Sequence, residues 1–240
     1  MKWLDSFLWK NRLWLVLACV LAPAKLVLAQ GTIVYHQSAS PISPLISQQF
    51  DLDGNGQADL RFYDASYSPA NYWATDASGI GSARLMVIPN LGVDGGSHIA
   101  PLNQGFLIGD SLSPGLIWAA QNAPNNYGDA LLLGSYIPET PSGGPVPVGF
   151  FYGTTAFMGM HFQIGSDWHY GWVRIRGGTA GVADDGQFYL NPPAWVLDWA
   201  YESRPDTSIF AGAVPEPSSV ALVGLGLLTL LIQRRRKSLW

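Results

Sequence analysis

Cysteine is nearly missing from this 240-residue chain. The single one, Cys19, lies in the first apolar run, so the segment after the leader can close no disulfide of its own. Its stability must come from core burial or bound metal. Lysine is absent between Gln30 and Val214, where the five arginines Arg61, Arg84, Arg174, Arg176 and Arg204 stand against fifteen acidic residues, a net charge of −10. With no basic stripe, no nucleic-acid partner is expected. Also absent are a Gly-x-Ser-x-Gly elbow, a phosphate loop and a dinucleotide fingerprint, and His36, His98, His161 and His169 show no zinc-ligand spacing. Helical patterning is scarce too: between Gln30 and Val214 no 3.6-residue stripe runs beyond about ten residues.

What fills the chain instead is a succession of short aromatic or β-branched runs, separated every eight to twelve residues or so by Gly, Pro, Asn, Asp and Ser. This predicts an all-β body, an antiparallel β-sandwich or jelly roll. The expected strands are "GTIVYHQ", "LRFYDAS", "RLMVIPN", "GFLIGD", "LLLGSY", "VGFFYGT", "AFMGMHFQIG", "HYGWVRIRG", "GQFYLN" and "AWVLDWAYES". No internal repeat argues for a propeller or solenoid. The proline-rich "IPETPSGGPVPVG", Ile137 to Gly149, reads as an ordered surface connection. The body, residues 30–212, is long enough for one well-cored domain.

The two ends differ from the body. Residues 1–29 read as a signal helix: a basic start ending at Arg12, the apolar "LWLVLACVLA", and "VLAQ" with Ala29 at the cleavage point. Competing readings are a cut after Ala24, an uncleaved anchor, and a lipoprotein signal at "VLAC". At the other end, "AVPEPSSVALVGLGLLTLLIQRRRKS" holds an uncharged run from Val220 to Ile232 that stops at Arg234, Arg235, Arg236 and Lys237. Thirteen residues of helix span roughly 20 Å, short for a hydrocarbon core of about 30 Å. The run is apolar all round, however, and ends in the basic cluster that stays cytoplasmic, so a transmembrane helix is expected rather than a core helix. Before it, Pro215 and Pro217 hold Val214, Glu216 and their neighbours extended and open to a processing enzyme.

Val214, Pro215, Glu216 and Pro217, the short apolar helix and the basic stop together resemble the PEP-CTERM sorting signal of Gram-negative bacteria, the substrate of membrane-embedded exosortases. The resemblance covers residues 213–238. It implies export across the cytoplasmic membrane, a transient anchor in the inner membrane, exosortase and the secretion machinery as partners, and delivery to the cell surface or extracellular matrix. The alternative is a permanent single-span anchor. "HYGWVRIR" and "LDWAYESRPDTSIFAGAVPEP" are similar to the segment that precedes the signal in many such exported proteins, which supports the fold and the route without naming an activity.

In "FDLDGNGQADLRF", Asp51, Asp53 and Asn55 place oxygen ligands at alternate positions, Gly56 permits the reversal, Gln57 offers its carbonyl, and Asp59 stands at the ninth position of a calcium loop. The twelfth, where an EF-hand has Glu, is Phe62, so a calcium loop joining two strands is expected; the competing reading is a hairpin turn whose carboxylates cap amides. A second candidate is the hairpin of "FMGMHFQI" and "WHYGWVRIR". Alternation puts Met158, Met160, Phe162 and Ile164 with Val173 and Ile175 on one face. The other face collects Phe157, His161, Gln163, Trp168, Tyr170, Trp172, Arg174 and Arg176, a set suited to stacking on sugars, unless a second sheet covers it. Asp198 with Glu202, and Asp184 with Asp185, are the carboxylate pairs open to glycosidase chemistry.

The reading is therefore an exported, non-catalytic cell-surface or extracellular-matrix protein, calcium-stabilised and associated with polysaccharide. The alternative is an exported polysaccharide hydrolase with a carboxylate pair.

Overall fold

Period-two patterning governs the backbone. The computed structural model describes residues 32–42, 47–65, 72–89, 96–120, 129–136, 146–179, 181–182, 188–189 and 194–215. The signal segment 1–29, the apolar run with its arginines, Glu216, Pro217, and the pair Asp184 and Asp185 lie outside them. Among the described residues no helix is long and apolar enough to cross a membrane.

The described strands are, along the chain, β1 (Ile33–Ile42), β2 (Gln48–Phe50), β3 (Leu60–Asp64), β4 (Tyr72–Gly79), β5 (Arg84–Ile88), β6 (Ser97–Ile99), β7 (Leu107–Ile108) and β8 (Ile117–Ala120), then β9 (Asp129–Tyr136), β10 (Val146–Val148), β11 (Thr155–Ile164), β12 (Asp167–Gly177), β13 (Gly181–Val182), β14 (Phe188–Tyr189), β15 (Ala194–Glu202) and β16 (Ile209–Phe210). Twelve of them share one sheet, in the order β1-β15-β12-β11-β5-β6-β9-β4-β3-β2, with β10 alongside β9 and β8 alongside β5. The ribbons β13–β14 and β7–β16 stand apart from it.

An all-β body is what the sequence predicts, but two facing antiparallel sheets are not what forms. One large sheet curls into a half-barrel, and it is mixed, because β6 runs parallel to β9 with Ser97 opposite Ala130 and His98 opposite Leu131. Twist accumulates over so many strands, and register shifts at Gln37/Ser40, Thr75/Asp76 and Arg174/Ile175 bend it further. The curl is visible in what the core joins. Phe50, Leu60 and Phe62 from one end of the sheet pack in the same cluster as Val34, Ile42, Val196 and Trp199 from the other. Leu132, Met158, Phe162, Val173 and Ile175 fill the middle of that inner cluster.

A second, smaller core lies on the outer face, where Met86, Phe157, Tyr170, Trp172 and Ala200 are covered by Leu102, Ile108, Ile209 and Ala211. The cover is stitched down by backbone bonds, Leu102 N–H to Phe157 at 2.8 Å and Phe157 N–H back to Leu102 at 3.0 Å. Gly171, between Tyr170 and Trp172, faces the inner cluster instead and permits close strand packing there: a Cβ would sit 2.8 Å from the Ala200 carbonyl oxygen and 3.0 Å from Met160 Cε.

Two local expectations change. "VGFFYGT" is no strand: after β10 the chain turns through Gly149 and Gly153, both at positive φ, and Thr154 N–H closes on the Phe151 carbonyl at 3.1 Å. β4 went unforeseen because "YWATDASG" is rich in small residues buried on both faces, which erases alternation.

Candidate functional site

β2 and β3 pair with Phe50 opposite Leu60, so residues 51–59 form the loop between them, closed by Asp59 N–H donating to the Phe50 carbonyl at 2.9 Å. Gly54 and Gly56, at φ 78° and 87°, bend the loop so that amides point inward. Asp51 accepts from Gly54 N–H at 2.8 Å and Asn55 N–H at 3.2 Å on one oxygen, and from Gly56 N–H at 2.7 Å on the other. Asp53 accepts from the Asn55 backbone at 3.0 Å and its side-chain amide at 2.9 Å, while the Asn55 side-chain oxygen Oδ1 takes Gln57 N–H at 2.7 Å. Asp59, only 8% exposed, accepts from Leu52 N–H at 2.9 Å.

One carboxylate oxygen from each of Asp51, Asp53 and Asp59 lies within 4.8 Å of the others. Two ligands of one calcium ion, at about 2.4 Å each, stand no farther apart than this. Among the described residues no arginine pairs with any of the three. Burial, followed by the charges of Asp53 and Asp51 and opposed by the Leu52 amide, pushes Asp59 up to about 6. Asp51 is different: against the upward push of desolvation, the amides of Gly56, Gly54 and Asn55 hold it below the usual carboxylate value. Phe62, at the twelfth position, is fully buried in the inner core, so the EF-hand glutamate has no counterpart. The donor set is all oxygen and suits a hard divalent cation.

This loop sits where the two ends of the curled sheet meet. The Trp199 indole of β15 donates to the Leu52 carbonyl at 3.1 Å, and His36 of β1 stacks on Trp199 with centroids 5.1 Å apart. Tyr201 is pushed above its ordinary value by burial and then by Asp53 and Asp59.

The β11–β12 hairpin has the register that alternation predicts. Phe157 opposes Arg174, Gly159 opposes Trp172, His161 opposes Tyr170 and Gln163 opposes Trp168, around a two-residue turn at Gly165 and Ser166. The structure gathers these side chains on one face and then covers much of it. Tyr170 and Trp172 are buried beneath the outer cover, Gln163, Trp168 and Arg174 are half-buried, and Arg176 is exposed over the Trp195 ring. His161, 9% exposed, lies among three rings: stacked on Tyr170 at 4.4 Å, tilted against Trp168 at 4.4 Å, and 5.4 Å from Trp118. Among the described residues neither of its ring nitrogens has a hydrogen-bond partner. Burial first, and then the nearby Arg84 charge, lower it to about 4.

Trp118 and Arg84, whose guanidinium lies 4.6 Å over Trp168, belong to this cluster but carry no local signal. They arrive through the pairings of β5 with β8 and β11. Tyr35 was missed for the same reason. Its hydroxyl donates to Asp198 at 2.9 Å, and Arg174 holds both oxygens of that carboxylate, its Nε at 2.9 Å. Asp198 is thus fixed in an ion pair. Glu202 lies four positions along β15, about 13 Å at a strand's rise, wider than the roughly 5–9.5 Å of a glycosidase pair.

At the chain's exit, Ala213 N–H closes on the Phe210 carbonyl at 2.9 Å, and Val214 and Pro215 leave the body exposed. Residues 213–237 match the PEP-CTERM protein-sorting motif. The chain is therefore marked as an exosortase-sorted protein, with export and a C-terminal membrane anchor that exosortase processes. No curated protein and no solved structure matches the chain.

Proposed function

We propose that the body is a non-catalytic cell-surface or extracellular-matrix module, stabilised by calcium in the 51–59 loop and delivered by exosortase to a polysaccharide-rich exterior. The observation that carries this reading is the place of the acidic loop. Asp51, Asp53 and Asp59 converge beside the Trp199–Leu52 bond, so an ion there ties the ends of the half-barrel together. The body has no disulfide to do this. Asn55 and the Gln57 carbonyl complete the proposed oxygen set. Polysaccharide contact is assigned to the accessible flank of the hairpin, Gln163 and Trp168 with Arg84. The hydrolase reading is less favoured, because Asp198 is held by Arg174 and Tyr35.

The test is calorimetric titration of the mature protein with calcium, alongside thermal melting and tryptophan fluorescence. Heat of binding, a raised melting temperature and a Trp199 fluorescence change, all lost in Asp51→Ala/Asp53→Ala, support the reading. No heat and no shift would reduce the loop to a turn.

A further inference from the structure

Four large apolar side chains are prominently exposed among the described residues, and three of them gather at the exit of the chain: Leu107 (51%), Phe210 (54%) and Val214 (48%). Leu107 and Phe210 are direct partners in the β7–β16 ribbon, so their side chains project from the same face. Their neighbours Ile108 and Ile209 point the other way and are buried in the outer core. The ribbon thus spends one face on folding and leaves the other, an apolar one, unpartnered. The backbone bond from Ala213 to Phe210 returns the chain beside this face just before it leaves. Further bonds, Gly105 N–H to Ala211 and Ala211 N–H to Phe106, both 2.8 Å, make the ribbon and the exit one unit.

Where the chain goes next decides what meets this face. The sorting motif begins at residue 213 and implies a membrane anchor. From Pro215 to the first residue of the apolar run, Val220, there are five chain steps, at most about 18 Å when fully extended. A surface joined to the bilayer by so short a leash is held against it at high effective concentration. We propose that the β7–β16 ribbon is a lipid-contact surface: Leu107, Phe210 and Val214 rest in the outer interface of the anchoring membrane and seat the body there until exosortase cuts. Asp110 and Asp206, exposed beside the ribbon, keep the contact shallow. Cleavage removes the leash, and three side chains alone do not hold a protein on a membrane, so the body leaves once it is cut. This inference rests on the anchor and not on calcium or polysaccharide binding.

The experiment places a nitroxide at Asn103→Cys, in the exposed turn that leads into β7, in the full chain carrying Cys19→Ala. The protein is reconstituted in vesicles of phosphatidylethanolamine and phosphatidylglycerol. Collision of the label with oxygen, which concentrates in lipid, is compared with collision with a water-soluble nickel chelate, and a label at Pro147→Cys, exposed on β10 of the large sheet and outside the ribbon, serves as the reference. The expected result is oxygen-dominated relaxation at Asn103, nickel-dominated relaxation at Pro147, and loss of the oxygen signal at Asn103 when Leu107→Asp and Phe210→Asp are added while the protein stays anchored and folded. A label at Asn103 as water-accessible as the one at Pro147 in the unsubstituted ribbon overturns the proposal. So does dipolar broadening between copies at Asn103, since a second copy would then cover the face. The comparison of the two unsubstituted sites decides even if the double variant fails to fold.

Discussion

The indole N–H of Trp199 donates to the carbonyl of Leu52 at 3.1 Å across 147 positions of sequence. This one bond joins strand β15, next to one edge of the curled sheet, to the acidic loop beside the other. It closes the half-barrel at the point where the three carboxylates converge.

Trp199→Phe keeps an aromatic ring beside His36 but removes the indole donor together with part of the ring, leaving the Leu52 carbonyl unmatched. The expected cost is about 1–3 kcal/mol. Urea denaturation of the mature protein measures it; under the proposed calcium reading, the rise in melting temperature with calcium is expected to shrink in the same variant.

The raised value of Asp59, about 6 against 3.8, gives an uncommon sign for a carboxylate. Between these pH values the folded state binds a proton that the unfolded state does not, so this group's contribution to stability falls as pH rises through the window. Without metal, Asp59 then costs up to about 3 kcal/mol at neutral pH. Asp59→Asn, which still accepts from Leu52, is expected to raise the urea midpoint at pH 7.5 in EDTA and change little below pH 4. Under the proposed calcium reading, the same variant is expected to bind the ion more weakly.

His161 has the opposite slope. Its folded value is about 4 against 6.5, so stability is lost as pH falls through that window, by an amount on the order of 3 kcal/mol. Between pH 6 and 4 the two effects oppose each other, and a nearly flat profile is expected. His161→Phe preserves the stack on Tyr170 and removes two nitrogens that have no partner among the described residues; its stability at pH 4.5 exceeds that of the parent, whereas at pH 7.5 the difference is small. A midpoint at pH 4.5 no higher than the parent's would contradict this.

Arg174→Ala leaves the buried Asp198 carboxylate with Tyr35 as its remaining partner among the described residues, and the expected loss is about 3–5 kcal/mol. Tyr35→Phe costs less, about 1–2 kcal/mol. Because the three groups form one network, the double variant falls short of the sum, which a double-mutant cycle by chemical denaturation reads directly.

Much of the site was legible because its parts are contiguous or periodic. The 51–59 loop needs only nine neighbouring residues, and its glycines and carboxylates declare the turn. The hairpin register, His161 against Tyr170 and Gln163 against Trp168, follows from a two-residue turn and strict alternation. What alternation does not reveal is which face another segment covers. Tyr170 and Trp172 read as a sugar platform, and the chain from Leu102 to Ile108 with Ile209 and Ala211 packs over them.

The sequence by itself determined the sorting tail, the β character of the body, the acidic loop and the hairpin, since each depends on interactions over a few residues. Tertiary structure alone decided that one sheet curls instead of two facing each other, and that a three-residue strand runs parallel beside β9. It also decided that Asp198 meets Arg174 and Tyr35. The register shift in β15 is instructive: Val196 packs in the inner core, yet Asp198, two positions on, meets Arg174 on the outer face. A single bulge reverses the phase that a reading by alternation assumes, and only long-range packing reveals where the bulge falls.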